Sequence, residues 1–167
     1  MSLFRSLFSK KERTPPRNKF EDHTSEIEAI LEDCIGYLVR HVAEQFYIRH
    51  RYGETYAKAT CELYIFRDTV LKTRVDNYSY EPSYGFCSEE AGKIIEQLPI
   101  SREADEKTFW EACVPYAEKY LEQKLKQSFP GADFVTCKAM VSRCHPWIND
   151  DTSYHSLYYS FSVRVSK

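Results

Sequence analysis

The sequence predicts an α+β domain in which helices pack on one face of a four-stranded antiparallel sheet, in the chain order α-β-β-α-α-β-β. Three observations predict it. Apolar residues recur at helical spacing over 27–46 and again over 109–125. Between and after these runs, apolar and polar residues alternate over 57–65, 135–142 and 157–165. Strands with one apolar and one polar face suit an antiparallel sheet covered on a single side. A chain of 167 residues suits one such domain. The reading is a disordered basic tail over 1–23 and a folded domain over 24–167.

Each element has its own signal. Ser25 followed three residues later by Glu28 is a capping-box pattern. Ile27, Ile30, Leu31, Cys34, Leu38, Val42 and Phe46 then form one helical stripe opposite Glu28, Glu32, Arg40 and Glu44, and Gly53 follows as the stop. Ala57, Ala59, Cys61, Leu63 and Ile65 alternate with Lys58, Thr60, Glu62 and Tyr64 in a first strand, and Val70 to Val75 return as a second. The stretch 77–85, rich in Asn, Ser, Pro and Gly, reads as loop. Ser88, Glu89 and Glu90 open a short helix that Pro99 stops. The next helix carries Phe109, Cys113, Ala117, Tyr120 and Leu125 on its apolar face, and Pro115 predicts a kink or break within it. Gly131 follows as its terminator. Two strands finish the chain, around Val135–Ser142 and Leu157–Val165.

Composition narrows the function classes. Net charge is −2, but residues 1–20 hold six cations against one carboxylate, so the remainder carries −7. An acidic body argues against general nucleic-acid binding, which needs a basic face. Six cysteines stand far apart with no C-x-x-C pair, which removes the usual zinc-ribbon spacing and points to free thiols. Residues 1–20 carry no pattern of a secretory leader, and no apolar run is long enough to span a membrane, so the expectation is a cytoplasmic protein. There is no Gly-rich phosphate loop and no H-E-x-x-H, and no cofactor is expected.

Three segments carry candidate function. At the start, Leu3, Phe4, Leu7 and Phe8 would share one side of a short helix next to a basic cluster, a pattern suited to weak contact with an anionic membrane surface or a partner groove. In the 77–85 loop, Tyr78, Tyr80 and Tyr84 have the Tyr/Ser/Gly chemistry of protein-binding loops. The 144–155 segment joins two clear strands and gathers Trp147, Asp150 and Asp151 as binding candidates with Cys144, His145 and His155 as metal candidates. Cys144 and His145 are adjacent, so in extended chain only His155 could return to meet Cys144 as base to nucleophile. With no catalytic motif in the sequence, the expectation is a non-catalytic interaction or regulatory protein that binds another protein through a Tyr-rich surface or the tail. The alternative is a small enzyme or metal-binding protein with its site in 144–155.

Overall fold

The alternation at 57–65 becomes the central strand of a five-stranded antiparallel sheet. In the computed structural model of the chain, residues 17–66, 70–76, 83–84, 88–101, 103–144 and 154–167 are described, with backbone alone at 66, 70–76, 83–84, 103 and 144. The elements run α1 (Thr24–Leu31), a π-helical turn (Glu32–Gly36), α2 (Tyr37–His50), β1 (Tyr56–Phe66), β2 (Val70–Asp76), β3 (Ser83–Tyr84), α3 (Glu89–Gln97), α4 (Glu103–Ser128), β4 (Phe134–Cys144) and β5 (Tyr154–Arg164). Sheet order is β3-β2-β1-β5-β4. The mixed α+β class holds, and the four-stranded count is corrected. A fifth, two-residue strand lies inside the stretch read as loop, where Ser83 pairs with Val75 and Tyr84 with Arg74. A pairing this short leaves no period to read.

One face of the sheet is apolar because strand neighbours alternate sides. Ala57, Ala59, Cys61, Leu63, Leu157, Tyr159, Phe161 and Val163 are all buried against the helices, while Lys58, Thr60, Tyr158, Ser160 and Ser162 remain accessible. The small side chains Ala57 and Ala59 let α2 approach β1 closely. Helix α4 lies across β4 and β5 with Phe109, Trp110, Cys113, Ala117, Leu121 and Leu125 buried. The Trp110 indole Nε1–H donates to the His155 carbonyl at 3.0 Å, which ties α4 to the start of β5. Among the described residues no helix is long and apolar enough to cross a membrane.

Several local expectations need correction. Helix α4 continues past Pro115, so the expected break does not occur there. A mid-helix proline costs roughly 3 kcal/mol, but each large buried side chain of the α4 stripe contributes about 1.5–3 kcal/mol, so packing outweighs the lost donor. The stripe uses Leu121, fully buried, rather than Tyr120, which sits at the edge. The capping box at Ser25 does not form. Helix α1 starts two residues earlier, at Thr24 after His23, and the Ser25 hydroxyl donates to Glu26. The single long helix expected over the first stripe contains the π-helical turn. Ser88 does cap α3, accepting from the Ala91 N–H at 3.2 Å. Cys34, Cys61, Cys113 and Cys137 are free thiols.

The folded chain also begins before residue 24. Phe20 is fully buried and meets Phe109 edge-on at 5.3 Å between ring centroids. Asn18 donates to the Thr108 carbonyl, and Lys19 Nζ reaches both the Pro99 carbonyl and Asp105, so residues 17–23 belong to the domain rather than to a tail. Their polarity hid this, because one aromatic among charges has no periodicity. Residues 1–16, with Leu3, Phe4, Leu7 and Phe8, lie outside the described residues.

Phe20→Ala should destabilise the full chain by about 3–5 kcal/mol, the usual cost of emptying a buried aromatic site, as read from the denaturation midpoint in urea. The Lys19 hydrogen bond, aided by the Ser101 N–H and hydroxyl, lowers the Asp105 carboxyl from 3.8 to about 2. A depressed folded-state pKa adds stability above the unfolded value that is lost as pH falls through the folded one. Asp105 should therefore titrate near pH 2 by carboxyl NMR, and Lys19→Met should move its midpoint upward.

Candidate functional site

The segments singled out in the sequence fall largely beyond what is described. Tyr78, Tyr80, His145, Trp147, Asp150 and Asp151 lie outside the described residues, and Tyr84 and Cys144 are described by backbone alone. The β4–β5 ladder pairs Cys144 with Tyr154 and Arg143 with His155. Cys144 and His155 are thus not cross-strand partners but stand one residue out of phase, and a one-residue offset changes faces. The hairpin register therefore does not bring them together as nucleophile and base. His155 is half-buried, and its carbonyl serves Trp110. Among the described residues no three His, Cys, Asp or Glu side chains are grouped to hold a metal ion. At the end of α2, His50 Nδ1 lies 2.5 Å from the Glu54 carbonyl and its ring stacks on Phe46, so it closes the helix. His41 stacks on Tyr37.

A different concave surface is well defined. Where the π-helical turn meets α4, a groove of about 600 Å³ opens between the two helices. Pro115, Tyr116 and Tyr120 supply its accessible apolar surface above the fully buried Leu31, with Glu28 on the α1 side and Lys119 on the α4 side. Tyr116 and Tyr120 are four residues apart and so share one face of α4, adjacent to the buried Ala117–Leu121–Leu125 stripe. The groove exists because the two helices touch through small groups. Gly36 ends the π turn, and a Cβ there would lie 3.2 Å from the Tyr120 hydroxyl, 3.1 Å from Glu32 Oε1 and 3.4 Å from Arg40 Nη1.

Charges hold the lower end shut. Glu32 takes ion pairs from Lys124 at 3.0 Å and from Arg40 at 3.3 Å, and Lys124 Nζ also sits 5.1 Å from the centre of the Tyr120 ring. At the other end the Thr24 and Tyr116 hydroxyls are 3.3 Å apart. Between these closures two charges are left over. Neither Glu28 nor Lys119 has an ion-pair partner among the described residues, and they stand on opposite walls. The Tyr120 hydroxyl is buried without a hydrogen-bond partner. Burial without a partner costs a hydroxyl about 1–3 kcal/mol, and π-helical turns concentrate at functional sites.

Sequence reasoning missed this groove. The i, i+4 pair of tyrosines was legible, but Tyr120 and Leu121 are both plausible members of the α4 stripe until the packing selects Leu121. Comparison with known proteins found no matching family, no matching curated protein and no matching solved structure.

Tyr120→Phe removes the unpartnered hydroxyl and keeps the ring. It should leave stability unchanged or raise it by up to about 1 kcal/mol, measured by thermal and chemical unfolding together. A loss of stability would mean that the hydroxyl has a partner in solution.

Proposed function

We propose that the protein is a non-catalytic interaction module that takes a segment of another protein in the groove between α1 and α4. The observation that carries this reading is the pairing of an apolar, tyrosine-lined groove with two unpaired charges of opposite sign, Glu28 and Lys119, one on each wall. Tyrosine gives large contact area at low entropic cost, because its side chain has few rotatable bonds to freeze. Recognition of helical or extended segments in apolar grooves uses this kind of surface.

The charges specify the occupant. A segment that places an apolar side chain on Pro115 and Tyr116 must also pass Glu28 and Lys119. The best match is a peptide with one apolar anchor and a basic and an acidic residue on its two flanks. Glu32 adds nothing to recognition, since Arg40 and Lys124 already neutralise it. Complementary charges set the orientation of a peptide and exclude like-charged ones, while the anchor supplies most of the affinity.

Selection from a random peptide library on the full-length protein tests the proposal. Selected peptides should carry the anchor with flanking charges, and a photoactivatable side chain at Gln123, which also lines the groove, should crosslink to them. Glu28→Lys should weaken those peptides about tenfold or more, the size of effect expected for replacing attraction by like-charge contact, with no change in melting temperature. Selected peptides that bind Glu28→Lys and Lys119→Glu as well as the parent would overturn it.

A further inference from the structure

Residues 17–24 lead the chain past the upper end of the α1–α4 groove. Asn18 donates to the Thr108 carbonyl, Phe20 packs on Phe109, and the Thr24 hydroxyl meets that of Tyr116 at the closed end. The sixteen residues before Arg17 are therefore tethered on this flank of α4. The groove runs from Pro115 to Gln123, which is about 10 to 22 Å along the helix from Thr108 at about 1.5 Å per residue. Phe8 stands ten positions before Asn18, a length of chain that spans up to about 33 Å. Phe8 can thus reach any point of the groove.

The same segment carries the chemistry that the groove selects. On the reading given above, Glu28 and Lys119 select a basic and an acidic group on the two sides of an apolar anchor. Arg5, Phe8 and Glu12 supply that order, at intervals of three and four residues that suit one helix face. Residues 1–16 hold four cations, with Glu12 as their one carboxylate. Arg17 and Lys19, the next cations along the chain, are already committed to Glu21, Asp22 and Asp105. The cations before them face a groove wall whose Glu28 has no ion-pair partner among the described residues.

We propose that residues 5–12 of this chain occupy the groove in the free protein, with Phe8 as the anchor, Arg5 facing Glu28 and Glu12 facing Lys119. The inference rests on the reading of the groove as a peptide site, and names the segment that fills it until a partner arrives. A short tether gives an effective concentration of about 1 mM. A segment with a free affinity of about 0.1 mM then fills the groove in about nine-tenths of the molecules, and a competing peptide binds about tenfold more weakly. One anchor and two charges are enough for so weak a contact.

A photoactivatable phenylalanine analogue in place of Phe8 in the full-length protein tests the occupant. Irradiation should crosslink position 8 to residues 115–123 of the same chain, at a yield that stays constant over about a hundredfold dilution. Glu28→Lys should lower the yield by about half or more, and adding Arg5→Glu should restore it. Glu96→Lys, on α3, should leave it unchanged. Crosslinks elsewhere on the chain, a yield that falls on dilution as pairing with a second copy gives, or an equal loss in Glu96→Lys would overturn the proposal. Peptides selected on the groove separate this inference from the reading beneath it. They should bind Phe8→Ala about tenfold tighter than the parent. Equal binding to both would overturn the in-chain occupant and leave the groove as a site for another protein. A crosslink at 115–123, with no peptide selected on either protein, would support the in-chain occupant and overturn the partner.

Discussion

Everything in this molecule depends on burying one side of the β1–β5–β4 sheet under α4. The six buried residues of α4 face the alternate residues of β5, and Trp110 anchors the contact with its hydrogen bond to the His155 carbonyl. This burial keeps α4 helical through Pro115. It also decides which side chains are left over. Once Leu121 and Leu125 turn to the sheet, Tyr116 and Tyr120 must line the flank, where α1 and the π-helical turn meet them.

The same constraint splits the protein into two chemically different surfaces. The helix side has a groove with mixed charge and aromatic walls, held open by the small contact at Gly36 and closed below by the Arg40–Glu32–Lys124 ion pairs. Exposed ion pairs of this type are each worth only about 0–1 kcal/mol, so they shape the groove more than they stabilise it. The other sheet face is polar and accessible at Lys58, Thr60, Lys138, Ser160 and Ser162, while Tyr64 and Ser156 farther along it are buried. Among the described residues the helices lie on the apolar face, which leaves the polar side chains of the other face accessible at Lys58, Thr60, Ser160 and Ser162.

The outer edge of β4 follows the same logic. Val165 N–H donates to the Thr55 carbonyl, so odd-numbered residues of β5 bond to β1 and even-numbered ones to β4. That leaves the odd-numbered residues of β4 with their backbone groups turned outward. Glu118, from α4, reaches over and accepts the Ala139 N–H at 3.3 Å. A carboxylate on an unpaired edge both satisfies a donor and discourages another strand from adding there.

The sequence by itself determined the types of the long elements, the apolar faces of β1, β4 and β5, the α3 cap at Ser88 and the mixed α+β class. These rest on periods of 2 and 3.6 residues, which any stretch of several residues displays without reference to the rest of the chain. Tertiary structure decided the place of Phe20, the survival of α4 across Pro115, the choice of Leu121 over Tyr120, the two-residue strand at Ser83–Tyr84 and the offset between Cys144 and His155. The candidate groove belongs to this second group. It is made by residues from elements distant in the chain, α1 with α4. Its chemistry comes from side chains that a local pattern marks only as polar or surface. A period tells which way a residue points on its own element, and only packing tells what it points at.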